Sequence, residues 1–201
     1  MYTARLGDIE ITLNTEEGIF SPSRADSGTL AMLKDAGAAA SELYGVPSKV
    51  LDLGCGAGIA GIYLAKILPS AEVHFTDVDE RCVKLSLENA KANNIPETRI
   101  KACLSDAFSN VPEMDFDLIL SNPPYHTDFS VAKAFIEGAF LHLRTGGRLF
   151  MVTKRLDWYK NKIISVFGGV RITRTEDGYF VFSAEKRSEK FSKTKPVKKR
   201  R

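Results

Sequence analysis

"KVLDLGCGAGIAGIYLA" (Lys49–Ala65) is the stretch whose reading decides the fold. An apolar run of strand length passes through Gly54, Gly56 and Gly58 and enters an apolar helical pattern without a break. Glycines in such a turn permit positive φ and let a ligand approach backbone N–H groups. In an open parallel sheet, the carboxyl end of such a strand is where ligands bind. The plain alternative is a tight strand–helix connection whose glycines only allow close packing.

Outward from this unit, strand-like and helix-like segments alternate. "EVHFTD", "RIKACL", "FDLILS" and "GRLFMVT" read as strands, with "ERCVKLSLENAKAN", "VAKAFIEGAFLHL" and "DWYKNKIISVF" as helices between or after them. Upstream, "DIEITLN" (Asp8–Asn14) alternates like a half-buried strand, and a helix capped by Asp26 or Ser27 runs to Gly45. The pattern is that of βαβ units: an α/β fold with a mostly parallel sheet and helices on both faces. "GVRITRT" and "GYFVFSA", joined through "EDG", predict a closing hairpin and hence one antiparallel strand.

Composition narrows the function classes. The 201 residues are 44% apolar and 26% charged, and no apolar run nears the ~20 residues of a membrane span. "MYTARLGDIEITLN" has no unbroken apolar stretch of the signal-peptide kind, so the cytoplasm is the expected compartment. Cys55, Cys82 and Cys103 lack CxxC spacing and His74, His126 and His142 are scattered, so no metal site is expected. From Lys186 onward, "KRSEKFSKTKPVKKRR" carries a net charge of +8, leaving residues 1–185 at −5 against the whole chain's +3. One domain over 1–185, with 1–20 as a small β-like extension, is expected to precede a basic tail over 186–201 that is disordered when free. That tail is either a solubility device or an arm for RNA phosphates.

Carboxylates at the strand ends choose between nucleotides. Gly56, Gly58 and Gly61 satisfy GxGxxG, which keeps NAD and an oxidoreductase as the runner-up reading. Asp52 lies inside the strand just before the loop, where a buried carboxylate needs a partner such as a ligand ammonium. Asp77 ends the next strand at the position of a ribose-binding acid. Asp106, in "LSDAF", follows the third strand, and is either a ligand contact or a turn residue. S-adenosylmethionine offers an ammonium, a ribose and an adenine to these three.

The fourth strand runs into "NPPY" (Asn122, Pro123, Pro124, Tyr125). One proline suffices to end a strand. Two make a rigid corner from which the Asn122 side-chain oxygen and the Pro123 carbonyl can face one planar amino group. Tyr125 offers a stacking face worth ~1–3 kcal/mol per base. Holding an amine in line with an electrophile is catalysis by positioning and electrostatics. His126 is a weaker candidate for proton removal, and Lys154 and Arg155 are candidates for phosphate contact or for capping the sheet edge.

Asp52–Gly58, Asp77, Asp106 and Asn122–Tyr125 together resemble class I S-adenosylmethionine-dependent methyltransferases acting on exocyclic or amide nitrogens. "GIFSPSRADSGTLAML" (Gly18–Leu33) resembles the segment before the glycine loop in ribosomal RNA guanine-N2 methyltransferases of the small-subunit methyltransferase C group. The resemblance implies a Rossmann-like seven-stranded sheet with one antiparallel strand. It implies that Asp52 holds the methionine ammonium, Gly54 and Gly56 contact the cofactor, and Asp77 holds the ribose. Asp106 and Ala107 would lie by the adenine. Asn122, which also borders the cofactor, would take the target amine with Pro123, Pro124 and Tyr125. Longer members carry a degenerate N-terminal copy of the domain, where this chain has a short extension. Adenine-N6 enzymes and glutamine-N5 enzymes share the tetrapeptide and remain alternatives, as does a non-catalytic nucleotide- or RNA-binding module.

Overall fold

The computed structural model describes residues 1–19, 24–43, 45–46, 48–124 and 129–192. Its centre is a seven-stranded sheet. Strands β3 (Ser48–Leu53), β4 (Ala71–Asp77), β5 (Ile100–Leu104), β6 (Phe116–Ser121) and β7 (Leu143–Thr153) are parallel. Strand β9 (Phe180–Glu185) runs antiparallel between β7 and β8 (Arg171–Arg174). The spatial order is β5-β4-β3-β6-β7-β9-β8. Order reverses at β3, whose connections lead to β4 on one side while β6 lies on the other. That switch point opens a crevice outside the strands' carboxyl ends.

Continuous burial along β3 and β6 reflects cover on both faces. One face carries α1 (Ser27–Ala40) and α2 (Ile59–Ile67), whose Met32, Leu33, Ile62 and Leu64 pack on Val50, Val73 and Leu120. The other carries α4 (Phe129–His142) and α5 (Leu156–Phe167), with Phe135, Ile136 and Ile163 packed around Leu51, Leu53 and Phe182. Helix α3 (Glu80–Ala92) flanks β4 and β5. Among the described residues no helix is long and apolar enough to cross a membrane.

The N-terminal extension is a hairpin of β1 (Tyr2–Leu6) and β2 (Ile9–Leu13), so the strand expected near Asp8–Asn14 has a partner before it. Two asparagines one turn apart fasten it to the domain. Asn93 exchanges hydrogen bonds with the backbone of Thr12 at 3.2 and 2.7 Å. Asn89 does the same with Asn14 at 2.8 and 3.0 Å, and donates to the Ala57 carbonyl at 2.9 Å. An open strand edge is thereby paired with side chains instead of being left to water.

The expectation of a free tail from Lys186 is corrected. Lys186 is buried, with Nζ donating to the Leu143 carbonyl at 2.7 Å and lying 5.4 Å from the Phe140 ring centre. Phe191 meets Phe140 edge-on at 4.9 Å, and the Ser192 N–H donates to the Val166 carbonyl at 2.9 Å. A long aliphatic stem and one aromatic ring give this basic segment the apolar contact that its charge count concealed. The chain leaves β9 beside Arg148, at the amino end of β7, opposite the crevice. Residues 193–201 lie outside the described part.

Candidate active site

The glycine loop closes on β4. Gly54, Gly56 and Gly58 take positive φ of 72°, 53° and 85°, as the sequence predicts. Their N–H groups, however, are not bare. Gly54 and Cys55 donate to the Thr76 carbonyl at 2.8 and 2.9 Å, and Gly56 to Asp77 Oδ2 at 3.0 Å. The expectation that these donors face a ligand is therefore corrected: the neighbouring strand end satisfies them. What the loop offers is bare Cα surface, since a Cβ built on Gly56 meets nothing within 4 Å. Gly58 is different. A Cβ there would stand 2.9 Å from that of Ser86, so the residue sets the distance between α2 and α3.

Asp52 is 4% exposed, and its Oδ2 accepts from the Gly61 N–H in the first turn of α2 at 2.8 Å. The partner that a buried carboxylate needs is thus supplied in part by the chain's own backbone. Burial pushes its pKa up to about 7, opposed by the Gly61 hydrogen bond and aided by the charge of Asp77. The same contact speaks against a dinucleotide. A pyrophosphate would need the N-terminus of α2, where a carboxylate already accepts from the backbone.

Asp77 ties the site together, with Oδ2 accepting from Gly56 and Oδ1 from the Asp79 N–H at 3.0 Å. An ionised carboxylate has about four acceptor positions, so further donors can still be held. Asp106 is exposed in a turn whose carbonyl accepts from Ser109 at 3.0 Å. Ala107 adopts φ of 50°, a left-handed conformation costly for a residue with a Cβ, and Ser105 Oγ donates to its carbonyl at 2.9 Å.

Because β6 pairs with β3, Asn122 stands beside the glycine loop. Its Nδ2 donates to Asp26 Oδ2 at 3.1 Å and to Thr29 Oγ1 at 2.8 Å. Its Oδ1 is buried and has no hydrogen-bond partner among the described residues. A buried acceptor left unpaired costs about 1–3 kcal/mol, which a donor brought by a ligand would recover. Pro123 is buried and Pro124 exposed. Tyr125 and His126, named from the sequence, lie outside the described residues.

A cavity of about 470 Å³ at the switch point brings these residues onto one wall system: Asp52, Asp77, Asp106, Ala107 and Asn122 all line it. Its size is that of a nucleotide-scale ligand site. It also takes residues that the sequence pattern does not assign to a ligand. Asp26 is legible there only as a helix cap, and Phe135 of α4, whose ring would stand 3.5 Å from a Cβ on Gly54, only as an apolar helix position. Burial pushes the Cys55 thiol well up and that of Cys82 up to about 12, so both line the cavity as neutral thiols. Among the described residues no three His, Cys, Asp or Glu side chains group as a metal site. Lys154 stacks its ammonium 4.6 Å above the Tyr179 ring, and Arg155 its guanidinium 5.0 Å above that of Phe129.

Residues 10–183 match the methyltransferase small domain family. The uncharacterised protein YbxB of Bacillus subtilis is 32% identical over 189 residues, which are 92% of this chain and 90% of YbxB. A ribosomal RNA small subunit methyltransferase C of Hamiltonella defensa is 32% identical over 181 residues, 87% of this chain and 50% of that protein. The T. thermophilus 16S rRNA N2 methyltransferase RsmC, solved in complex with AdoMet and guanosine, superposes with a TM-score of 0.79 at 31% identity. That superposition covers 92% of this chain and 50% of RsmC. The chain thus spans about half the length of the methyltransferase C relatives it matches.

Proposed function

Because this chain belongs to the methyltransferase small domain family, we propose that it transfers a methyl group from S-adenosylmethionine to the exocyclic N2 amine of a guanine in ribosomal RNA. One observation carries the reading. The buried Oδ1 of Asn122, unpartnered among the described residues, lies at the end of β6, on the wall of the cavity that Asp52 and Asp77 also line.

The donor set fits the cofactor. Asp52 offers a carboxylate to an ammonium, Asp77 to ribose hydroxyls, and the turn at Asp106–Ala107 a shallow wall for a base. S-adenosylmethionine, held by Asp52 and Asp77, would supply the electrophilic methyl. Asn122 Oδ1 and the Pro123 carbonyl accept the two amine hydrogens and turn the nitrogen lone pair out of conjugation toward that methyl. This is positional and electrostatic catalysis, needing no covalent step on the protein. After transfer the surplus proton leaves to water. Tyr125, next in sequence after the corner, is the proposed stacking face for the base.

Guanine N2 is preferred over adenine N6 and over a glutamine amide because the methyltransferase C relatives, matched across most of this chain, are named for ribosomal RNA, and the superposed structure for N2. The cytoplasm, where ribosomal RNA is found, is the matching compartment. The test is incubation with methyl-labelled S-adenosylmethionine and small-subunit RNA, naked or assembled, followed by nucleoside analysis. Label in N2-methylguanosine is expected. Label in N6-methyladenosine or in protein would move the reading to its alternatives, and no label in any of them would end it.

A further inference from the structure

We propose that Asp26 is a positioning residue that holds the Asn122 amide with its oxygen, not its nitrogen, free for the substrate. The proposal rests on the methyl-transfer reading above for its catalytic consequence, but its geometry stands apart from which amine is methylated.

Asp26 caps α1, with Oδ2 accepting from the Thr29 N–H at 2.9 Å. The same oxygen accepts from Thr29 Oγ1 at 3.3 Å and from Asn122 Nδ2 at 3.1 Å. Its other oxygen accepts from the Tyr179 hydroxyl at 2.7 Å. One carboxylate thus joins the start of α1, the end of β6 and the entry to β9. A helix cap needs only the first of these bonds.

The chemistry of the acceptor fixes the orientation of the amide. A carboxylate can only accept, so Asn122 must turn its NH₂ toward it. Rotating the amide by half a turn would set two proton-free oxygens 3.1 Å apart. Thr29 Oγ1 alone would not discriminate, because a hydroxyl both donates and accepts. With Asp26 in place, Oδ1 is left over, buried and without a hydrogen-bond partner among the described residues. Tyr179 holds the carboxylate from behind: it is 5% exposed, and a Cβ on Gly28 would come within 2.5 Å of its ring. Glycine at position 28 is what lets that ring lie against the first turn of α1.

Two substitutions separate positioning from capping. Asp26→Ser keeps a good helix cap but is too short to reach Asn122 and Tyr179 as well. Asp26→Asn can restore both contacts, its oxygen toward Thr29 and Asn122 and its NH₂ toward the tyrosine oxygen. In Asp26→Ser, kcat is expected to fall about 10- to 100-fold, the cost of a reacting group misplaced by a fraction of an ångström to an ångström. The KM for RNA and the affinity for S-adenosylmethionine are expected to stay near wild type, the melting temperature to fall because the Tyr179 hydroxyl and the Asn122 NH₂ lose an acceptor, and Asp26→Asn to recover most of the loss in kcat.

An arm independent of turnover follows the side-chain NH₂ resonances of Asn122, assigned by their loss in Asn122→Ala. They are expected to show two well-separated protons in wild type, to converge in Asp26→Ser and to separate again in Asp26→Asn. An unchanged amide signal in Asp26→Ser overturns the proposal, as does a fall in kcat that only tracks lost stability or cofactor affinity. If the wild type fails to methylate guanine while the amide signal responds as described, the guanine reading falls and the positioning role stands.

Discussion

The carboxylate of Asp52 and the backbone N–H of Gly61 are 2.8 Å apart, so β3 and α2 share one buried charge on the cavity wall. Burial without a full countercharge leaves this group titrating near neutrality, at about pH 7. Both binding and stability should carry that signature.

On the proposed assignment, the ionised form of Asp52 holds the cofactor ammonium. Cofactor affinity should therefore be level above pH 7 and weaken by up to ~10-fold per unit below it, as a single required deprotonation dictates. Asp52→Asn should bind weakly at every pH, without that slope. Calorimetric titration between pH 5.5 and 8.5 would measure both; an affinity that does not change across this range would separate Asp52 from the ammonium.

The sign for stability is the reverse of the usual carboxylate case. Folding raises this pKa from 3.8 to about 7, so the folded state keeps a proton that the unfolded chain has already lost. Stability should decline as pH rises between those values, by an amount of order a few kcal/mol for a shift of this size. Asp52→Asn, which cannot ionise, should then unfold at a higher temperature than wild type at pH 8 while binding cofactor poorly. Such an exchange of stability for function is common at ligand sites. Equal melting temperatures at pH 8 would show that the buried charge is better solvated than its surroundings suggest.

Asn122→Ala removes the buried Oδ1 that the proposed mechanism offers to the amine. Turnover should drop by about 10²–10³, the scale of one pre-organised oxyanion-hole donor. Cofactor affinity should barely move, because Asp52 and Asp77 remain. Near-normal single-turnover rates would remove Asn122 from the chemistry.

Asp77→Ala should act twice. Cofactor binding should weaken by ~1–3 kcal/mol, the scale of a charge-assisted hydrogen bond. Melting temperature should fall as well, because the N–H groups of Gly56 and Asp79 lose their shared acceptor. Unaltered affinity in calorimetry would contradict the ribose assignment.

The sheet was legible because its signals are local. Apolar runs such as "VLDL" and "LILS", ended by Gly54 and by Asn122–Pro123, mark buried strands and their carboxyl ends wherever they pair. The strand ends in turn placed Asp52, Asp77, Asp106 and Asn122 around one crevice. What the sequence concealed was pairing at a distance. Nothing local says that Thr76 takes the loop's N–H groups, that Gly61 takes Asp52, or that Asp26 reaches Asn122 across 96 positions. Asn89 and Asn93 carried a faint signal, since asparagine one turn apart inside a helix has no propensity to recommend it and invites a search for partners. Lys186 carried a misleading one: its charge argued for solvent, and its stem and neighbours took it into the fold.

The basic segment can be cut in two places with different outcomes. Removing residues 193–201 should leave the melting temperature in place. It should also flatten the salt dependence of RNA binding, by about 0.7 in log–log slope for each phosphate that the arm no longer neutralises. Removing 186–201 should destabilise the domain as well, because Lys186 and Phe191 go with it. An unchanged slope in the shorter deletion would leave this stretch as a solubility device.

The chain passes Ser192 at the floor of the sheet, held to Val166, while the Asn122 corner is at the roof. On the proposed reading, phosphates held from that floor and a base seated in the crevice would be gripped from opposite ends of the sheet, and a trinucleotide carrying the right guanine would engage the roof alone.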